Sequence, residues 1–454
     1  MKKDRKPNVL LILCDQLRYD CVGAAKKYDI KTPNMDLLAR DGMFFENAFT
    51  PLPVCAPARQ AILSGVQPDS IGALFNYNFI PTCGASVKNP SWITNLKNDG
   101  YKCGFAGKWD ASPTNKPADF GYEVCADFGE YGRFIGEKYG NIDYGGGWFG
   151  CSNPIALEDG KPHWVMTRAA EFIEQSKDEP WHMWVDIPDP HLPCRPSAPF
   201  DTMYSPGDMV PWDSFGDTHE NKPYIHAKQI ESWNLGGLEW EDFAPTVARY
   251  FGMISQIDDA IGILIKKLIE TNQYEDTVII LTSDHGDTCG GHGMLDKHYI
   301  LFDDVTHVPL IMRYPKGLGV GRCKKFVSSA LDIAPTVEEL CSLGGTDYKH
   351  HGRSVTGSID GSNAREFSVS SSNGQQFGLF TNRCIRDEKY KYIWNLTDID
   401  EFYDLANDPG ELVNKIDDAQ FADIIESMKP KLFDELVRLG DPFANGWLSY
   451  QLGK

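Results

Sequence analysis

Nowhere does this chain run apolar for the about 20 residues that a membrane helix needs. The early run "VLLIL" (9–13) is too short, and no small-residue cleavage site follows it. It reads as a first strand, and the chain as cytoplasmic. Positive charge is also scarce: 44 Lys and Arg face 64 Asp and Glu, a net −20. That balance argues against nucleic acid or an anionic membrane as partner. An anionic small substrate would need a local cationic pocket or a metal. Twelve cysteines are present, but no CxxC pair, and their spacing gives neither a disulfide framework nor a zinc ribbon. Free thiols in a reducing compartment are the simplest reading. Repeats and low-complexity tracts are missing too.

What is present is a globular composition, 42% hydrophobic and 24% charged over 454 residues, too long for a single core. "NVLLILC" (8–14) lacks polar alternation, as a strand buried on both faces does. Helix-then-strand pairs follow: 32–42 with 43–49, 91–100 with 101–107, 164–177 with 181–187, and 244–273 with 277–283. A further strand is expected at 307–315 and a helix at 332–344. This alternation predicts an α/β sandwich with a mostly parallel central sheet. After about residue 350 come short alternating segments at 366–372, 375–382 and 389–396, then a helix at 419–439. They predict a small C-terminal α+β subdomain with an antiparallel sheet, so the expected division is 1–350 and 351–454. The stretches 110–160 and 189–240 show little periodicity and read as binding loops.

Two strands end in acids. Asp15 and Gln16 follow the first, and Asp284 and His285 follow the strand at 277–283. Ligand sites in parallel sheets form at the carboxyl ends of strands. Either pair alone fits a turn-capping acid as well as a metal ligand; together they favour a divalent metal. Cys55, in "PLPVCAPARQAILSG", stands where a helix ending at Gly65 begins, with Pro57 in its first turn. Free N–H groups there attract anions, and Arg59 lies one turn along on the same face. A small buried cysteine with a solvent arginine is the plainer alternative.

"CAPAR" fits the C-x-P-[SA]-R signature of the type I sulfatases, a branch of the alkaline phosphatase superfamily. The chain also resembles that family at "KPNVLLILCDQLRYD", "GYKCGFAGKW", "DPHLP", "SDHGDTCGGHGMLDKH", "THVPLIMRYP" and "EFYDLANDPGELVN". The resemblance implies an alkaline-phosphatase-like fold and hydrolysis of sulfate esters, of small molecules or carbohydrates. It implies that a maturating enzyme oxidises Cys55 to formylglycine, whose hydrated aldehyde is the nucleophile. Asp15, Gln16, Asp284 and His285 would bind one divalent metal together with the modified Cys55, calcium first, with manganese or magnesium as the other candidates. Arg59 would fix the formylglycine, Lys108 and Lys297 would bind sulfate oxygens, and His191 would protonate the leaving oxygen or hold the sulfate. A homo-oligomer is compatible with all of this.

The chain departs from many sulfatases in having Gln16 and His285 where they have Asp and Asn. That pairing resembles the choline sulfatase and phosphonate monoester hydrolase branches, so phosphonate or phosphodiester hydrolysis is the rival expectation, and a binding protein without turnover the next. Asp110 stands where the family often has a histidine. Asp303 and His307 have a spacing suited to a second metal, and "CGGHG" (289–293) reads as a flexible loop beside the site rather than a zinc site.

Overall fold

The structure, a computed structural model, describes residues 6–77, 82–89, 91–344, 349–375 and 378–453. The first strand, β1 (Asn8–Asp15), is buried at every position, as its unbroken apolar character demands. Seven strands join it: β2 (Met43–Phe49), β3 (Lys102–Gly107), β4 (Glu123–Ala126), β5 (Trp181–Pro190), β6 (Thr277–Ser283), β7 (Leu310–Arg313) and β8 (Gly321–Ser328). Their order is β4-β3-β5-β1-β6-β7-β2-β8. β1 lies between β5 and β6, parallel to both. Only β7 runs antiparallel, to β6 and β2.

Because side chains alternate along a strand, β1 feeds two cores. Leu10, Ile12 and Cys14 join one, with the helices Lys161–Gln175 and Trp240–Glu270. Val9, Leu11 and Leu13 join the other, with the helices Cys55–Ser64, Trp92–Asn98 and Ile333–Leu340. This is the expected sandwich.

A second sheet, antiparallel throughout, holds β9 (Ser368–Gln375), β10 (Gly378–Arg386), β11 (Tyr390–Asn395) and β12 (Glu401–Asp404). The helix Ala422–Leu439 presents Ile425, Met428, Leu432 and Leu436 at helical spacing to Ile385, Tyr392, Trp394 and Phe402. Gln376 and Phe377, part of an expected strand, lie outside the described residues. β9 also ties down the loop ahead of Cys55: Ser371 N donates to Pro51 O at 2.9 Å and Ser370 Oγ to Thr50 O at 2.7 Å.

The stretches expected to be irregular contain two helices, Phe128–Tyr139 and Tyr224–Trp233. The long helix starts at Trp240 rather than 244, because Glu239 and Asp242 form a capping box ahead of Pro245. β8 was hidden by its charges: it is an edge strand, with Arg322, Lys324 and Lys325 turned to solvent.

Candidate active site

Adjacent parallel strands bring their ends together. Cys14 on β1 pairs with Ser283 on β6, so Asp15 and Asp284 emerge side by side. Cys55 opens its helix opposite them. Ligand atoms of Asp15, Cys55, Asp284 and His285 all lie within 4.8 Å of one another, and all four residues are buried. Cys55 Sγ is 3.3 Å from His285 Nε2 and 3.8 Å from Asp15 Oδ1. His285 Nδ1 lies 2.8 Å from Gly286 O. Donating its N–H there turns the Nε2 lone pair toward the cluster.

Arg59, one turn after Cys55, is wholly buried. Its fork grips Asp186 at 2.8 and 3.0 Å, and it also pairs with Asp284. Lys108 Nζ reaches Asp15 Oδ2 at 2.5 Å and Asp110 Oδ2 at 3.2 Å. It can do so because Gly107 has φ +119 and no side chain; a Cβ there would fall 1.8 Å from Asp186 O. Lys297 Nζ contacts Gln16 Oε1 at 2.9 Å, His191 Nε2 at 2.6 Å and Asp296 Oδ1 at 3.0 Å. Gln16 itself is held with φ at 75. Its backbone N–H donates to Asp284 Oδ1 at 3.0 Å and its Nε2 to Asp287 Oδ2 at 2.6 Å. Its Oε1 keeps a second lone pair.

The electrostatics follow from this crowding. Burial and Asp15 push the Cys55 thiol up, but Lys108, Lys297 and His285 outweigh them and hold it well below its usual value. Burial also opposes ionisation of Asp15, yet Lys108 and Arg59 keep it well below the carboxylate norm. For Asp284 burial wins over Arg59, with Asp15 adding to it, and its carboxyl is raised. Two carboxylates, an imidazole nitrogen and an ionisable sulfur thus converge in a buried cluster, a donor set that fits a hard or borderline divalent ion.

Every residue expected at the site is therefore found in one neighbourhood. Asp303 and His307 are not part of it. Asp303 pairs with Arg386 and Lys391, and His307 stacks between Tyr19 and Phe49. The loop 289–293 is largely buried, and His292 Nδ1 is bound to Asp217 Oδ2 at 2.7 Å. Three supporting carboxylates escaped the sequence reading: Asp186, Asp287 and Asp296. Asp186 had a visible signal, a carboxylate inside the apolar strand "WHMWVDI". Above Asp15, Lys108 and His191 opens a cavity of about 410 Å³.

The fold is an α/β sandwich whose buried donor cluster lies at the carboxyl edge of a mostly parallel sheet, where such folds place their ligand sites. The sulfatase family model matches residues 7–342, and the model of the N-sulphoglucosamine sulphohydrolase C-terminal region matches 290–438. The chain belongs to the sulfatase family and hydrolyses sulfate esters. An uncharacterized sulfatase of Escherichia coli, YidJ, is 28% identical over 97% of this chain and 89% of its own length. An arylsulfatase of Clostridium perfringens is 26% identical over 97% and 96%. The phosphonate monoester hydrolase of Agrobacterium radiobacter shares the fold, with a TM-score of 0.82 at 23% identity over 95% and 96%. The family implies a metal ion and a formylglycine, and the buried Asp15–Cys55–Asp284–His285 cluster fits both.

Proposed function

We propose that Cys55, oxidised to formylglycine by a maturating enzyme, supplies the nucleophile of a one-metal sulfate-ester hydrolase, with Asp15, Gln16, Asp284 and His285 as the other ligands. The observation that carries this is the meeting of four ligand atoms at a helix start, beside a cationic cavity. A divalent ion held there, calcium first by its oxygen-rich donors, supplies Lewis acidity and an ionised oxygen nucleophile at neutral pH. Arg59, fixed by Asp186, orients the Cys55 side chain and offsets its charge. Lys108 and Lys297 take the sulfate oxygens. His191 has Nδ1 2.7 Å from Leu192 O and Nε2 2.6 Å from Lys297 Nζ; as an imidazolium, with a proton on each ring nitrogen, it would hold the sulfate or pass the Nε2 proton to the departing alcohol oxygen. All twelve cysteines are free, which supports a reducing, cytoplasmic setting.

A second reading keeps the same nucleophile and rests on the Gln16–His285 pair: a phosphonate monoester or phosphodiester substrate, singly charged like a sulfate ester. One experiment addresses both. In active protein the Cys55 peptide should have lost one sulfur and two hydrogens and gained one oxygen by mass spectrometry. On such protein, kcat/KM should be highest for an aryl sulfate, lower for the matched aryl phosphonate and lowest for the aryl phosphate. Full activity with an intact thiol overturns the nucleophile; a phosphonate severalfold above the sulfate favours the second reading.

A further inference from the structure

The cavity is lined by two cations that the reaction does not use, Arg195 and Lys161. Arg195 lines it together with Asp15, Lys108 and His191. Its guanidinium sits 4.4 Å from the centre of the Tyr144 ring, and its Nε is buried without a hydrogen-bond partner. Among the described residues no carboxylate pairs with it. The residue is half-buried, so its guanidinium is open to a partner from the cavity in a chain where acids outnumber Lys and Arg, 64 to 44. Lys161 is exposed and faces Asp189 Oδ1 at 3.9 Å, so unlike Arg195 it has a carboxylate beside it. Asp189 is half-buried, and desolvation pushes its carboxyl up despite Lys161. Tyr144 also leans on Asn153, which lines the same wall, at 3.4 Å. The cation–π contact with Tyr144 limits the motion of the Arg195 side chain, so less freedom is lost when a partner arrives.

We infer that Arg195 reads a second oxyanion on the leaving alcohol, so the preferred substrate is a sulfate ester whose alcohol half bears a carboxylate or a further sulfo group. The inference rests on the hydrolase reading above, since it takes the sulfate to lie at Lys108 and Lys297. The guanidinium matches both oxyanions, as a two-point donor to planar or tetrahedral oxygens. A charge-assisted pair of this kind in a partly desolvated wall is worth about 10- to 100-fold in affinity.

The test uses phenyl sulfate, 3-carboxyphenyl sulfate and 3-sulfophenyl sulfate on protein of known formylglycine content. We expect kcat/KM for one of the two charged esters to exceed that for phenyl sulfate by about 10-fold or more; which one leads separates carboxylate from sulfo recognition. In Arg195→Met that ratio should fall toward one, and Arg195→Lys should keep only part of it, because a point charge loses the two-point grip and the stack. The ratio is internal to each protein sample, so a partly misfolded variant cannot mimic the result. Calorimetry on Cys55→Ala adds a readout free of turnover: the favoured charged ester should bind more tightly than phenyl sulfate. Equal kcat/KM on all three esters, or a preference that survives in Arg195→Met, overturns the inference alone. Hydrolysis of none by formylglycine-bearing protein overturns the hydrolase reading, and the inference with it.

Discussion

Arg383 and Arg59 are both wholly buried; Arg383 holds two carboxylates and Arg59 three. Arg383 Nε donates to Asp441 at 2.6 Å, and its terminal nitrogens reach Asp69 at 3.1 Å and Asn373 at 3.1 Å. Asp69 is closed by Ser371, Asn373 and Gln67 at 2.5, 2.8 and 3.0 Å. Its partners are neutral donors or the guanidinium, so this network ends in itself. Around Arg59 the pattern is open. Beyond Asp186 and Asp284 come Asp15 and the sulfur of Cys55, with Lys108 the next cation. A closed network fastens β9 and β10 to the segment that carries Cys55. An open one concentrates charge for use. The same residue types do both, and what separates them is whether each acid has its own donor.

That contrast can be broken most severely at Asp284. Asp284→Asn removes a ligand atom and one partner of Arg59, so kcat/KM on an aryl sulfate should fall about 1000-fold or more, as for groups that act as a unit. Yet in chelator-treated protein its melting temperature should hold or rise, because the change relieves a raised, crowded carboxyl. Activity within about tenfold of the parent would remove Asp284 from the site. Asp69→Asn should do the opposite. It leaves Arg383 under-compensated in a dry interior, a change that costs about 3–5 kcal/mol. Urea unfolding should show that loss, while the turnover of the folded fraction stays near the parent value. Loss of turnover with stability intact would show that the two networks are not separate.

The strand ends were legible because apolar strands that stop at acids leave a clear trace, and parallel neighbours must bring such ends together. Cys55 and Arg59 were legible because one helical turn joins them. Asp186 was not, because its meaning lies in a contact 127 residues distant. The helix Phe128–Tyr139 was hidden for a different reason. It carries Gly129, Gly132 and Gly136, which lower its helix propensity and interrupt the stripe of Phe128, Tyr131, Phe134 and Ile135 that packs on the core. Arg195 was hidden by its loop, where no period tells a cavity wall from a surface turn.

The smallest effect concerns histidines outside the site. Burial pushes His182 down to about 3; it is enclosed between Val9 O and the Tyr122 hydroxyl, each at 3.1 Å. Burial likewise pushes His307 down to about 4, although Asp303 pulls the other way, with Arg386 adding to the lowering. In the unfolded chain both should titrate near about 6.5. Between that value and their folded values the unfolded chain therefore binds more protons, and stability must fall as pH falls. The loss should begin below about pH 6.5 and run to about pH 4 for His307 and further for His182, at up to about 1.4 kcal/mol per pH unit for each ring. Other groups titrate in that window, so the measurement is a difference. Urea midpoints at pH 7, 6 and 5 for the parent and His182→Gln should show a shallower acid slope in the variant, by about one proton. Glutamine retains a donor and an acceptor for Val9 and Tyr122, so the variant should still fold. An unchanged slope would mean that His182 is already protonated in the fold, and that burial does not govern this ring.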